Sequence, residues 1–200
     1  MSDVTYPSLS GTSVSRDFVE LPSQLYEHWL TAPEVLKRFA RHATTGKPIP
    51  DALLAKIKAA RTFNQGFATV EFTAAALVDM DLHALEKTDG FDATKFERET
   101  LKRLGMPEAI VMRHRLPHFL HIMGGYAAGY YSYLWSEVMD ADAFDAFEET
   151  GNVFDAETAR RLKEHIYSAG NRRDPEAAYI AFRGRAPTIE GLLKKRGFAV

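Results

Sequence analysis

Apolar residues recur every three or four positions along most of the 200-residue chain, which is the spacing of helices with one buried face. The clearest run covers 16–41, where Pro33 indicates a joint between two helices. Further helices are predicted from Asp51, over 62–86, after Asp92, over 141–150, from Asp155, from Asp174-Pro175 and over 187–196. The first twelve residues look irregular or extended and are the only candidate for a strand. The pattern predicts an all-α, multi-helix bundle forming a single domain over 1–200.

Composition narrows the possible partners and the compartment. The net charge of −2 gives no electrostatic reason to expect binding to nucleic acid or to an anionic membrane surface. No apolar run is long enough to span a bilayer, and the first residues lack the pattern of a signal peptide. Cysteine is absent, which excludes disulfides and thiolate metal sites and fits a reducing compartment. We therefore expect a cytoplasmic protein.

A row of carboxylate and amide side chains lies in the first helical run. Glu20, Gln24 and Glu27 are spaced to share one helical face, and Asp17 lies one turn earlier. Such a row beside buried aromatic residues is typical of a helix that supplies a metal ligand with neighbours that orient it. A solvated helix face with a capping aspartate is the alternative interpretation.

Three histidines, His114, His118 and His121, have the same helical spacing. Imidazoles at this spacing hold zinc when the segment is one helix. Pro117 argues against a continuous helix here, because the residue before a proline avoids the helical region.

The segment 121–135, HIMGGYAAGYYSYLW, is unusually rich in tyrosine and glycine. The pair Gly124 and Gly125 lets the backbone bend or approach a ligand. Tyr126, Tyr130 and Tyr133 are predicted to share one helical face, and neutral phenols donate hydrogen bonds to a developing oxyanion or a peptide carbonyl. Half-buried core tyrosines with hydrated hydroxyls are the alternative.

Familiar catalytic motifs are missing from these 200 residues. The chain has no GxSxG sequence, no cysteine, no glycine-rich phosphate loop and no HExxH sequence. A self-contained nucleophilic or zinc-peptidase site is therefore not predicted.

Three stretches together resemble the thimet oligopeptidase, oligopeptidase A and peptidyl-dipeptidase family of zinc metallopeptidases. They are SGTSVSRDFVELPSQLYEHW, HIMGGYAAGYYSYLWSEVMDADAF and the tail GNVFDAETARRLKEHIYSAGNRRDPEAAYIAFRGRAPTIEGLLKKRG. The form AAGYYSYLW is most similar to the bacterial peptidyl-dipeptidase branch. The resemblance implies the C-terminal portion of a zincin-like catalytic domain of the neurolysin type, acting on short peptides in the cytoplasm.

The resemblance also implies roles for individual residues. Glu20 would be a zinc ligand, with Asp17, Gln24 and Glu27 as its neighbours. The residues implied in catalysis are His121, Tyr126 and Tyr133. Those implied in substrate binding are Gly124, Gly125 and Tyr130.

The chain departs from the family in lacking HExxH, which supplies two zinc ligands and the general base. Catalytic zinc needs three protein ligands and a water molecule. We therefore expect the 200 residues alone neither to bind zinc tightly nor to cleave peptides. We also expect self-association, or binding to the N-terminal part of the enzyme, through exposed apolar faces. The alternative functions are a stand-alone, non-catalytic helical domain that binds peptides, and a purely structural helical bundle.

Overall fold

The structure, a computed structural model, describes residues 1–198, which fold into helices joined by turns. The α-helices are, in chain order, α1 Arg16–Val19, α2 Leu21–Trp29, α3 Pro33–Phe39, α4 Asp51–Ala60, α5 Gln65–His83, α6 Ala93–Arg103, α7 Ser132–Glu148, α8 Ala156–Leu162, α9 Pro175–Arg183 and α10 Glu190–Arg196. Short 3-10 helices cover Pro7–Leu9, Leu116–His118 and Leu120–Met123, and a π-helical turn, Lys163–Tyr167, continues α8. Within 1–198 no β-strand forms, which confirms the all-α prediction. None of these helices is long and apolar enough to cross a membrane.

The chain separates into two compact units. Unit 1 consists of residues 1–63 and 134–198, and unit 2 consists of residues 64–133. Unit 2 is thus continuous in sequence, whereas unit 1 is assembled from two separate parts of the chain.

The core of unit 1 joins α1 and α2 to the C-terminal helices. Leu21, Leu25 and Phe182 are fully buried, and Phe147 is 2% exposed. Trp29 packs edge-on against two phenylalanine rings of α7, each with its centroid 4.9 Å away. Burial of each such side chain contributes about 1.5–3 kcal/mol, so the two sequence-distant parts of unit 1 are held by the same core.

The core of unit 2 is smaller. Val78 of α5 and Ile122 are fully buried, and they lie in one cluster with Met112, Leu116 and Phe119. Most of this cluster comes from 112–122, a segment without α-helix. The core of unit 2 therefore depends on an irregular segment that other groups must hold in place.

Local signals in the sequence located several helix starts correctly. The side chains of Asp92, Asp155 and Asp174 each accept a hydrogen bond from the backbone N–H three residues later, the pattern of an N-cap. Gly197 ends α10 with a left-handed φ of 73°. The predicted helix over 141–150 is wrong in its extent, because α7 begins nine residues earlier, at Ser132.

An ion pair at the surface of unit 1 makes its stability depend on pH. Both guanidinium NH2 groups of Arg183 donate to the Glu149 carboxylate, at 2.9 and 2.5 Å, and these bonds hold the pKa of Glu149 below its usual value. A lowered folded-state pKa stabilises the fold above the unfolded-state pKa, and this contribution disappears as the pH falls through the folded-state pKa.

We expect the melting temperature of the wild-type chain to fall when the pH is lowered from 6 to 3.5. Replacing Glu149 with glutamine should make that fall smaller by about 1–3 °C, since Glu149 is largely exposed to solvent and such a pair contributes little. Thermal unfolding followed by circular dichroism at both pH values measures the difference. An identical fall in both proteins would contradict the role given to this pair.

Candidate functional site

Four aromatic rings of unit 2 meet in one cluster: His121, Tyr126, Tyr130 and Tyr133, hereafter the tyrosine cluster. Tyr126 and Tyr133 are stacked, with ring centroids 5.1 Å apart and an interplanar angle of 15°. The His121 ring lies 5.9–6.0 Å from each of the three tyrosine rings. The structure thus brings together the histidine and the tyrosines that the sequence singled out.

The helical face that was predicted to align these tyrosines is wrong. Tyr126 and Tyr130 lie in a run of turns after the 3-10 helix Leu120–Met123, and of the three only Tyr133 belongs to α7. Turn bonds from Ala127 N to Gly124 O and from Gly129 N to Tyr126 O replace helical ones, at 3.1 and 2.9 Å. The rings therefore meet through a series of turns, which the helical spacing of the residues does not predict.

Tyr130 differs from the other two tyrosines in its surroundings. Its ring stacks on Phe72 of α5, with centroids 4.9 Å apart, and meets Phe119 edge-on at 4.7 Å. Burial raises the pKa of the Tyr130 phenol, and Arg113 opposes this shift. The group is therefore neutral and able to donate a hydrogen bond at physiological pH. Tyr130 therefore fits both interpretations, since its ring packs against core residues and its hydroxyl is able to donate a hydrogen bond.

Asp79 of α5 accepts hydrogen bonds from the turns that carry Tyr126 and Tyr130. This residue was not identified from the sequence. Its carboxylate is completely buried and accepts hydrogen bonds from the backbone N–H groups of Ala128 and Tyr130, at 3.0 and 2.9 Å. His83 Nδ1, one helical turn on, lies 2.8 Å from Asp79 Oδ1 and 3.3 Å from Ala128 N. The available signal was an aspartate four residues after Ala75 and one after Val78, which places it on the apolar face of α5.

The strained residue of this segment is Ala128. Its φ of 51° is left-handed, a conformation that costs a residue with a Cβ about 1–3 kcal/mol and tends to occur at functional sites. Gly124 and Gly125 are exposed, and neither has a positive φ. A Cβ built on Gly124 would meet no other atom within 4 Å, so Gly124 leaves open space at the surface of unit 2.

A second buried carboxylate holds the start of the same segment. Glu97 of α6 is 3% exposed, accepts a hydrogen bond from Leu116 N at 2.8 Å and pairs with the Arg115 guanidinium. The backbone leading into His121 is therefore fixed from α6, and the backbone leading out of it from α5.

The carboxylate row lies in unit 1. Glu20 forms the junction between α1 and α2, is partly exposed, and its Oε2 accepts a hydrogen bond from Ser23 Oγ at 2.8 Å. Gln24 N donates to Glu20 O at 3.0 Å, which continues the helical bonding through the junction. Asp17 is partly exposed and Glu27 is exposed. Glu27, which is exposed, fits the interpretation of a solvated helix face. Glu20 is less exposed and fits that interpretation less well.

Behind this row lies a buried polar group centred on Asp140 of α7. Its Oδ1 is 2.5 Å from His28 Nε2 and accepts a hydrogen bond from Lys195 Nζ at 3.0 Å. Gln24 Nε2 donates to Asp140 Oδ2 at 3.4 Å. The partner of Gln24 in the structure is thus Asp140, a residue 116 positions away that sequence spacing could not reveal.

The three histidines at helical spacing do not form a metal site. Pro117 lies inside the 3-10 helix Leu116–His118, and the chain turns before the next 3-10 helix, so no single helix carries them. In 1–198, no three histidine or carboxylate side chains converge as metal ligands.

Comparison with protein families gives a match over residues 1–198 to the model of peptidase family M3. The chain belongs to peptidase family M3. The family membership confirms the resemblance found in the sequence, and this M3 chain has the all-helical structure that the resemblance implied.

Curated relatives support the same assignment. The M3 chain is 43% identical over 199 residues to the dipeptidyl carboxypeptidase of Escherichia coli (strain K12), covering 98% of this chain and 29% of that protein. It is 40% identical over 195 residues to oligopeptidase A of the same organism, covering 94% of this chain and 28% of the relative. The probable cytosolic oligopeptidase A of Arabidopsis thaliana is 39% identical over 192 residues, which are 92% of this chain and 27% of that protein. The chain spans less than a third of the length of these relatives.

Proposed function

We propose that this M3 chain takes part in the hydrolysis of peptide bonds in short peptides, as a peptidyl-dipeptidase or oligopeptidase. The single observation that carries the proposal is the tyrosine cluster, in which two stacked phenols and an imidazole are presented together. Relatives named dipeptidyl carboxypeptidase and oligopeptidase A support the substrate class.

The proposed role of the cluster is to bind and polarise the peptide. The phenols of Tyr126 and Tyr133 and the ring N–H of His121 donate hydrogen bonds toward a peptide carbonyl, where negative charge develops during hydrolysis. Tyr130, held by Phe72 and Phe119, supports the cluster and contacts the substrate from its side. The open backbone at Gly124 and Gly125 lets a peptide approach closely.

Glu20 is proposed as one zinc ligand. Glu20 is partly exposed, and the helix junction that carries it packs through the buried residues Phe18 and Leu21. Zinc held by three protein ligands polarises a carbonyl and activates a water molecule. Asp17, Gln24 and Glu27 are proposed as the neighbours of Glu20, and Gln24 also connects it to the Asp140 group.

Location and partners complete the proposal. We place the activity in the cytoplasm, in line with the absence of cysteine and with the relative named a probable cytosolic oligopeptidase A. Exposed apolar residues on α5, Phe67, Val70, Leu77 and Met80, support binding to the rest of an M3 peptidase or self-association.

Mixing the chain with a separate fragment that contains HExxH tests the proposed function. We expect the chain alone to show no cleavage of a fluorogenic short peptide, and the mixture with zinc to show cleavage that a chelator abolishes. The HExxH fragment alone is the control. Chelator-sensitive cleavage by the pure chain would contradict the expectation of an incomplete site.

Peptide binding measured by calorimetry separates the alternative function. Metal-independent binding of short peptides to the chain, with no cleavage in any mixture, would favour a non-catalytic peptide-binding domain. If the chain shows no peptide binding and no mixture shows cleavage, the tyrosines are packing residues and the proposal is overturned.

A further inference from the structure

The Asp79 carboxylate accepts two hydrogen bonds from backbone N–H groups of the segment 124–131. The carboxylate is fully buried in a helix whose other inward residues, Ala75 and Val78, are apolar. A buried carboxylate is costly unless it is hydrogen-bonded or paired, and here its partners are two backbone N–H groups of the turns and His83. The carboxylate is therefore matched to one particular path of the backbone.

That path is one the segment would not adopt by itself. Ala128 has a left-handed φ of 51°, a conformation that L-residues with a Cβ generally avoid. The segment has turn bonds but no continuing helix between Gly124 and Tyr131. A conformation of this kind persists only when surrounding groups specify it. Asp79 contacts the strained residue itself, through the N–H of Ala128.

The same bonds set the positions of the rings. Tyr130 belongs to the tyrosine cluster and donates its own backbone N–H to Asp79 Oδ2. Tyr126 lies two residues before Ala128, and its carbonyl accepts from Gly129 N. A change of backbone path at Ala128 would move Tyr126 away from the ring of Tyr133, since Tyr133 is carried by α7.

The other end of the segment is fixed independently. Glu97 holds the N–H of Leu116 and the guanidinium of Arg115, five or six residues before His121. Two buried carboxylates, on the consecutive helices α5 and α6, thus bind backbone N–H groups at the two ends of residues 116–130.

We propose that Asp79, with His83 as its partner, is a positioning residue that holds the turns at 124–131 so that the tyrosine cluster assembles, and that Glu97 does the same for the approach to His121. The consequence for peptide hydrolysis rests on the proposed function. The role of Asp79 in placing the rings is independent of that function.

Amide hydrogen exchange measured residue by residue by NMR on the 200-residue chain tests this. In Asp79→Asn, which keeps the shape but presents one NH2 group to backbone donors, we expect the amides of Ala128 and Tyr130 to exchange at least about tenfold faster. The ring-current shifts of the stacked Tyr126 and Tyr133 should shrink, while the amides of α6 stay protected. Asp81→Asn is the matched control, because Asp81 lies on the same helix, is 38% exposed and pairs with Arg103; it should change none of these signals.

Two outcomes would overturn the proposal. One is wild-type exchange and ring-current shifts in Asp79→Asn. The other is equal acceleration throughout α5 and α6, which would show that Asp79 supports the fold of unit 2 rather than the cluster.

A second pair of variants keeps the proposal testable if Asp79→Asn does not fold. His83→Phe removes the nitrogen near Asp79 and Ala128, and should accelerate exchange at Ala128 several-fold with a smaller change at Tyr130. Glu97→Gln should accelerate exchange at Leu116 and leave Ala128 unchanged. Unchanged exchange at Ala128 and at Leu116 in these variants would overturn the proposal, and none of the readouts requires peptidase activity.

Discussion

Replacing Asp142 with alanine should lower the free energy of unfolding of unit 1 by about 3–5 kcal/mol, the cost of removing one partner from a buried charged group. Asp142 of α7 is 1% exposed and accepts a hydrogen bond from the Tyr179 hydroxyl at 2.7 Å. It also pairs with Arg183, whose side chain is 8% exposed, and with Arg185. The alanine variant would leave the buried Tyr179 phenol with Met139 O as its remaining acceptor and Arg183 with Glu149 as its remaining carboxylate.

Urea unfolding followed by tryptophan fluorescence measures this loss. Both tryptophans, Trp29 and Trp135, belong to unit 1, and Trp29 packs against its core, so the signal reports on this unit. Tyr179→Phe, which removes only the hydroxyl, should cost about 1 kcal/mol. Glu148→Ala is the control on the same helix, because Glu148 is exposed and its contact with Lys194 is long, at 3.5 Å; it should cost under about 0.5 kcal/mol. A loss below about 1 kcal/mol for Asp142→Ala would contradict the assigned role.

Removing one hydroxyl from the tyrosine cluster should lower kcat by about 10²–10³-fold when these residues act in an active M3 peptidase, the effect of losing one oxyanion donor. Tyr126→Phe and Tyr133→Phe keep the stacked rings, so their packing should be preserved. Since the proposed donors act on charge that develops during the reaction, KM should change much less than kcat.

The chain offers a matched control for this experiment in Tyr131. It lies in the same segment, is 40% exposed and stands outside the cluster. Tyr131→Phe should leave kcat within about twofold, which is ~0.4 kcal/mol in the barrier. Equal losses in Tyr126→Phe, Tyr133→Phe and Tyr131→Phe would show that the cluster is a packing feature.

Local signals in the sequence predicted the helices well where the determining groups are close in the chain. Asp92, Asp155 and Asp174 each bond to an N–H three residues away, so the cap can be read from a single short window. The joint at Pro33 and the end at Gly197 are local in the same sense. For these elements, sequence and structure agree.

The tyrosine segment shows where sequence reasoning fails. Its spacing fits a helix, but the conformation is determined by Asp79, which lies 49 and 51 positions before Ala128 and Tyr130. The grouping of His28 with Asp140 spans 112 positions. No periodicity connects such partners. The sequence grouped the tyrosines because their spacing fits one helical face, whereas in the structure they are brought together by turns.

The catalytic roles of Glu20, His121, Tyr126 and Tyr133 remain predictions. Their support is the family resemblance together with the ring geometry, and zinc ligation by Glu20 needs further ligands that residues 1–198 do not bring together. The single-domain organisation also stays a prediction, beside the two compact units that the structure shows.

The two-part construction of unit 1 has a consequence for the order of events during synthesis. Chains emerge from the ribosome N-terminus first, and domains generally fold as units. Residues 64–133 are contiguous, so the internal contacts of unit 2 can form as soon as this stretch has emerged. Residues 1–63 must wait, because the helices that cover Leu21 and Leu25 come from residues 134–198. The first third of the chain is therefore the part that most needs protection from aggregation while translation continues.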